Sequence, residues 1–345
     1  MRIAELAARH RFRLTEGDPP EPGPGEVQAR VVAVGVCGSD LHNFSEGSVG
    51  DTPSVYPMVL GHEPTGVIAK TGPDAGGLAP GDRVMLEPAV YCYHCEHCLS
   101  GHHNVCARLR FMSQPNDPGF FRDYVTVPAR NVVPIPAGMD FDYATLFEPL
   151  AVALHSMKFA RPGLGDTAAV FGAGPIGLLT IACLRLAGVS RIFTVEPVEA
   201  RRELARAAGA ADAVDPRGDD PRRAILEATG GRGVDLAIDC ATRGGTIDHC
   251  LHVTRNAGRV VVTGIPPEAR VTLDYHVMRR KEIHLYTVRR SNHETAAAVE
   301  LLGRHPSLFA PIVTHRRPLE EIQQAFELVE AYADGVGKMV IRLAD

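Results

Sequence analysis

The small apolar run Thr167–Phe171 passes directly into Gly172-Ala173-Gly174-Pro175-Ile176-Gly177, and a segment of helical periodicity follows until Gly188 stops it. A bare G-x-G-x-x-G carries little weight. This one follows a strand pattern and opens a helix, and the next strand pattern, Arg191–Val195, ends on Glu196, about 20 residues on, as a dinucleotide fingerprint requires. The glycines let backbone N–H groups approach a pyrophosphate, whose charge the helix N-terminus favours. We therefore expect Gly172, Gly174, Pro175, Ile176 and Gly177 to hold a dinucleotide. Glu196 would accept hydrogen bonds from the adenosine ribose and repel a 2′-phosphate, which favours NAD over NADP. Arg201 and Arg202 lie just downstream and could soften that preference, with Arg201 counted among the cofactor contacts.

Strands and helices keep alternating through the pattern Val234–Asp239 and on to Thr287, which predicts a doubly wound α/β domain over 156–290. Ahead of it, short alternating runs broken by Gly and Pro predict a β-rich barrel or sandwich core. Helices over 295–302 and 319–332 and a strand over 338–343 are expected to return to that first domain, because the α/β unit is complete without them. The 345 residues thus read as two domains, in line with about 150 residues per domain.

Within the β-rich part, Val36-Cys37-Gly38-Ser39-Asp40-Leu41-His42 and Leu60-Gly61-His62-Glu63-Pro64 gather a thiol, imidazoles and carboxylates among small residues. Zn²⁺ accepts sulfur, nitrogen and carboxylate oxygen, and a catalytic site needs three protein ligands and an open position. Cys37, His62 and Glu63 would supply them. Glu148 precedes Pro149, which suits the first position of a helix. Glu148 then either partners the helix end or points at a metal.

Cys92, Cys95, Cys98 and Cys106 follow as C-x-x-C-x-x-C-x₇-C. Four thiolates at this spacing can close around one Zn²⁺ with no position left for substrate. The ferredoxin pattern has a shorter last gap and a Pro after the fourth cysteine; here Ala107 stands there, which favours zinc. His94, His97, His102 and His103 are read as solvated loop residues, although one could replace a thiolate. Cys183, Cys240 and Cys250 lie in apolar periodic segments and are expected in the core. Phe120 and Phe121 either line a pocket or pack inside.

A formal net charge of −5 without a long basic run gives nucleic-acid binding no electrostatic footprint. No apolar run approaches the roughly 20 residues that span a bilayer, and the first residues have no signal-peptide core. The tight cysteine cluster suits metal in a reducing compartment better than disulfides. A cytoplasmic protein with neither nucleic-acid nor membrane partners is expected.

Taken together, Cys37-Gly38-Ser39-Asp40-x-His42, Gly61-His62-Glu63, the four-cysteine lobe and Gly172-x-Gly174-x-x-Gly177 resemble the zinc-dependent medium-chain dehydrogenases over nearly the whole chain. Pro57-Met58-Val59-Leu60-Gly61-His62-Glu63 and Phe147-Glu148-Pro149-Leu150-Ala151-Val152 are most similar to the polyol (sorbitol-type) and threonine/butanediol branches. The resemblance implies a GroES-like catalytic domain, 1–155 and 291–345, with a structural zinc lobe at 88–108. A Rossmann domain, 156–290, interrupts it, the active site lies in the cleft between, and subunits pair as homodimers or homotetramers. It carries the catalytic zinc onto Cys37, His62 and Glu63, with Glu148 reaching the metal directly or through water. Zinc, the thiolate and one carboxylate sum to zero charge; a second carboxylate leaves an excess negative charge, so the two glutamates are expected to alternate or one of them to act through water.

The resemblance also implies that Asp40 receives the other N–H of His62. Ser39 takes the substrate proton and passes it toward His42. Thr263, Gly264 and Ile265 border the nicotinamide, and Arg289 keeps a place beside cofactor and substrate. The implied reaction is NAD-linked oxidation of a secondary alcohol of a polyol or sugar to the ketone. A threonine- or butanediol-type dehydrogenase is the alternative, and a dinucleotide-binding protein without catalysis is a third reading. One departure stands out. Where polyol dehydrogenases tend to show Phe-Arg-Tyr, this chain has Val288-Arg289-Arg290. The extra guanidinium either welcomes an acidic or phosphorylated sugar or faces solvent.

Overall fold

Six parallel strands carry the glycine-rich turn, in the order Asp212–Val214, Arg191–Val195, Thr167–Phe171, Val234–Asp239, Thr254–Val262 and His284–Thr287. The computed structural model describes residues 1–344. The chain winds outward in one direction from Thr167–Phe171 and then in the other from Val234–Asp239. The glycine loop lies at that reversal, where open α/β sheets bind ligands. Val234–Asp239 is buried at every residue, as expected of a strand covered on both faces.

The second sheet has seven strands. Glu26–Gly35 lies at its heart, flanked by Glu63–Thr71 and Lys338–Arg342, both antiparallel to it. Val313–Pro318 continues the sheet beyond Lys338–Arg342, while Arg83–Leu86 and Val132–Pro134 continue the other side. The last strand of the chain thus returns to the first sheet. The register sets both Glu63 and Val340 opposite Gly35, so the Gly61-His62-Glu63 motif and the start of the final strand meet there.

Phe44, Phe120, Phe121 and Phe326 pack in the core beneath this sheet, which settles the two phenylalanines as interior residues. The helix Phe147–Ala160 packs with the Rossmann-like sheet in a second core. Cys183 and Cys250 are buried and Cys240 nearly so; burial pushes the Cys183 and Cys240 thiols up to about 12.

One expectation needs correction, and two strands lie outside the sequence reading. The helix bearing Glu148 starts at Phe147, so Glu148 is its second residue and Pro149 its third. Glu148 therefore does not cap that helix. The strands Asp212–Val214 and Val313–Pro318 have no counterpart in the sequence reading. Both are sheet edges, the first only three half-buried residues long and the second largely polar, so neither has a hydrophobic run to announce it. Among the described residues no helix is long and apolar enough to cross a membrane.

Candidate active site

Cys37, His62 and Glu63 offer a sulfur, a ring nitrogen and a carboxylate oxygen that all lie within 4.8 Å of one another. Cys37 stands just before the short helix Gly38–Leu41, and Glu63 opens the strand Glu63–Thr71. His62 is 4% exposed and Glu63 fully buried. Of the buried Glu63 oxygens, Oε1 has no partner among the described residues and Oε2 meets only the Lys338 ammonium. Buried polar atoms are rarely left so. A soft thiolate, an imidazole and a carboxylate converging on one point satisfy that demand if Zn²⁺ is shared between them, so the residues fit the metal.

Asp40 organises this trio. It is fully buried and accepts from Cys37 N–H and Gly61 N–H, both at 3.2 Å, and from the Ser113 hydroxyl at 3.1 Å. Its Oδ1 lies 3.3 Å from His62 Nδ1, in ionic contact but without hydrogen-bond alignment. Burial alone would raise the Asp40 carboxyl; the His62 charge and these hydrogen bonds outweigh it and hold the group below its usual range.

Lys338, at the start of the final strand, ion-pairs with Glu63 and is 1% exposed. The pair fits because Gly35 lies against it: a Cβ at Gly35 would come 2.0 Å from Glu63 Oε2 and 2.8 Å from Lys338 Cε. Lys338 changes the charge count made from the motifs. Zinc, one thiolate, two carboxylates and one ammonium sum to zero, so the second carboxylate need not leave the site negative.

Glu148 stands apart from the converging trio. Burial first, and then Glu63 and Glu87 against the opposing pull of His62 and Lys338, push its carboxyl up to about 7. It lines a narrow recess with Tyr91, Phe111, Phe147 and Arg290. The Phe111 ring lies 5.3 Å from the His62 ring.

Ser39 is half-buried on the turn between Cys37 and His42, and its carbonyl accepts from Asn43 Nδ2 at 3.1 Å. His42 Nδ1 is 2.8 Å from Glu46 Oε2, and Arg243 donates to Glu46 Oε1 at 2.7 Å. The imidazole is thereby tied, through one carboxylate, to the nucleotide-side domain. Nothing in the motifs marked Glu46 or Arg243.

On that side Gly172 has φ +91°, and Gly177 packs so closely that a Cβ would come 2.0 Å from the Gly172 carbonyl. Gly174 is open except for Arg201 Nη1, 3.9 Å from where its Cβ would be. Pro175 and Ile176 open the helix Pro175–Leu186. Glu196 is 4% exposed and accepts from Ala173 N–H at 2.8 Å and Val198 N–H at 2.9 Å. Arg201 donates to the Val336 carbonyl at 2.9 Å and stacks over Tyr332. Arg202 donates to the carbonyls of Glu196 and Pro197 and pairs with Glu199 and Asp215. Arg202 is therefore committed to the fold, and of the two arginines Arg201 alone adjoins the glycine loop.

Thr263 is buried, its hydroxyl 3.0 Å from that of Ser156. A Cβ at Gly264 would meet the Thr242 side chain at 2.9 Å, while Ile265 is exposed and 3.8 Å from where a Gly50 Cβ would be. Arg289 is exposed, with its carbonyl held by Asn104 Nδ2 at 3.0 Å.

The other metal candidate is closed. Cys92, Cys95, Cys98 and Cys106 bring four sulfurs within 4.8 Å, around a small cluster of Ala89, Tyr91 and Phe111. His94 turns to the Cys92 carbonyl and Arg108, and His103 packs against Tyr91, Tyr93 and His293. The four thiols form the set without a histidine.

A β-rich domain with a thiol–imidazole–carboxylate trio, joined to a dinucleotide-type α/β domain, defines a metal- and nicotinamide-dependent oxidoreductase. Residues 23–137 match the family model described as alcohol dehydrogenase GroES-like domain, and residues 175–304 match that of zinc-binding dehydrogenase. The L-threonine 3-dehydrogenase of Pyrococcus horikoshii is 34% identical, over 96% of this chain and 94% of its own length. The sorbitol dehydrogenase of Bacillus subtilis is 32% identical, over 95% and 93%. The crystal structure of L-idonate 5-dehydrogenase from Escherichia coli superposes with a TM-score of 0.90 at 27% identity, covering 99% of this chain and 98% of that one. The chain belongs to the zinc-dependent medium-chain alcohol dehydrogenase family. It is an oxidoreductase that uses zinc and a nicotinamide dinucleotide.

Proposed function

We propose that this protein oxidises a secondary alcohol of a polyol or sugar to the ketone, reversibly, with NAD⁺ as the acceptor. The observation that carries the reading is the convergence of Cys37, His62 and Glu63, with one buried Glu63 oxygen left without a partner, beside a recess lined by Glu148. When bound, zinc lowers the pKa of the substrate hydroxyl and the nicotinamide takes up the hydride. Cys37, His62 and Glu63 would hold the metal, with Asp40 fixing the imidazole and Glu148 reaching the metal directly or through water. Ser39 takes the proton from the substrate hydroxyl and hands it outward to His42, whose other nitrogen is fixed by Glu46. Glu148 accepts a hydrogen bond from a neighbouring hydroxyl, which suits a polyhydroxylated substrate.

On the nucleotide side Gly172, Gly174, Pro175, Ile176 and Gly177 cradle the pyrophosphate, and Thr263, Gly264 and Ile265 border the nicotinamide. Glu196 binds the ribose hydroxyls and disfavours a 2′-phosphate. Arg201 steadies the diphosphate side, and Arg289 faces cofactor and substrate from the cleft edge. Cys92, Cys95, Cys98 and Cys106 hold a structural zinc. We assign 1–155 and 291–345 to the catalytic domain and 156–290 to the Rossmann domain, and expect a cytoplasmic homodimer or homotetramer.

Sorbitol and idonate dehydrogenases among the relatives support the polyol reading; the 34% identity to an L-threonine 3-dehydrogenase supports a 3-hydroxy amino acid as the second reading. NAD⁺ reduction by the zinc-loaded protein over polyols, sugar derivatives and 3-hydroxy amino acids decides between them. The polyol reading expects turnover of one vicinal polyol at least about tenfold above threonine, a difference that lost hydrogen-bond pairing readily supplies. Turnover of threonine alone overturns it.

A further inference from the structure

Arg290 lines the recess, and the proposed reaction leaves its charge unused. Its guanidinium carbon lies 3.9 Å from the centre of the Phe111 ring, and Phe111 in turn packs on His62. A single aromatic ring therefore separates the guanidinium from a candidate metal ligand. Among the described residues its side chain donates no hydrogen bond and enters no ion pair, although it is largely withdrawn from water. Glu87, on the same recess, is taken up by the Thr295 hydroxyl. Glu148 shares the recess without pairing with Arg290. Burial and neighbouring Arg289 lower the guanidinium to about 10, so it stays charged at neutral pH. A half-buried guanidinium with five donors and a ring face on one side has no protein partner for them among the described residues.

The backbone holds Arg290 there deliberately. It has φ +54°, a left-handed conformation that non-glycine residues keep only where their surroundings enforce it. The enforcing contacts come from the cysteine lobe. Asn104 donates to the Arg289 carbonyl at 3.0 Å, His103 N–H donates to Asn292 Oδ1 at 3.1 Å, and Asn292 Nδ2 donates to the Gly101 carbonyl at 2.8 Å.

We propose that the substrate carries an oxyanion, a carboxylate or a phosphate, on the same short carbon chain as the oxidised hydroxyl, and that Arg290 binds it. The planar fork matches the two oxygens of either group. Phe111 fixes the plane of the fork from below. The inference rests on the dehydrogenase reading and adds the charge of the substrate to it.

The test compares three alcohols of one carbon skeleton with zinc-loaded protein and NAD⁺: a neutral hexitol, the matching aldonic acid and the hexitol monophosphate. Wild type is expected to favour one of the anions over the neutral hexitol by roughly tenfold to a hundredfold in kcat/KM, and the favoured anion tells carboxylate from phosphate. In R290M that ratio falls toward unity, with the loss borne by KM. R290K, which keeps the charge without the fork, retains part of it, and zinc content of both variants reports that the site is intact. Turnover of the hexitol with no anion preference overturns the inference and leaves the dehydrogenase reading standing. An anion preference that survives in R290M, with KM unmoved, also overturns it. No turnover of any alcohol overturns both.

Discussion

Lys338 bears most directly on how the metal ligands are held. Among the described residues its ammonium is the single cation in ion-pair contact with the buried Glu63 carboxylate, and both are all but sealed from water. Removing one partner of such a pair leaves a lone charge in the interior, at roughly 3–5 kcal/mol. A bound Zn²⁺ supplies the missing positive charge. We therefore expect Lys338→Met to lose stability of that order in metal-free protein and to recover most of it on zinc addition, read as denaturant midpoints with and without zinc. Equal losses in both states would mean that Lys338 and the metal do not share Glu63. Cys37, His62 and Glu63 were legible in the sequence because their residue types and local spacing already describe a ligand set. Lys338 was not, because it lies at the far end of the chain in an apolar strand, and only the pairing of two strands across Gly35 brings it in. Phe111 and Glu46 were missed for the same reason: each takes meaning from a neighbour that local periodicity does not specify.

At the scale of elements, the segment between the last Rossmann strand and the helix Thr295–Arg304 is pinned by one carboxylate. Glu294 contacts His155 Nδ1 at 3.0 Å and Lys158 Nζ at 2.5 Å, both on the helix Phe147–Ala160, and accepts from Asn292 N–H. Burial would raise Glu294, but the hydrogen bonds from His155 and Lys158 outweigh it and hold the carboxyl at about 2, below its ordinary 4.5. A depressed folded-state pKa stabilises above the unfolded value and is lost as pH falls through the folded one. Glu294→Gln should thus lower stability at pH 7 by roughly 1–3 kcal/mol, the range for hydrogen bonds to a charged group. The gap between variant and wild type should narrow as pH drops from 4.5 toward 2, in urea titrations at fixed pH. A gap that does not change with pH would assign the loss to packing. The central Rossmann strands were legible because a parallel sheet covered on both faces reads as unbroken apolar runs. Asp212–Val214 and Val313–Pro318 were not, since an edge strand is chosen by the neighbour it completes more than by its own residues.

For the whole molecule, the presence of a parallel sheet apart from an antiparallel one, and the return of the last strand to the latter, followed from where the βαβ alternation starts and stops. Which surfaces then face each other did not. The recess beside Glu148 draws on the β-rich domain, the cysteine lobe, the helix Phe147–Ala160 and Arg290 after the last Rossmann strand. The lobe, which has few apolar residues of its own, therefore matters to the site by holding that arginine segment through Asn104 and Asn292. All of this turns on a metal shared by Cys37, His62 and Glu63. Crystals of zinc-loaded protein measured at the zinc absorption edge test it most directly. We predict two anomalous peaks per chain, one among the four lobe sulfurs and one between Cys37, His62 and Glu63; a single peak at the lobe, in protein that still binds NAD⁺, would contradict it.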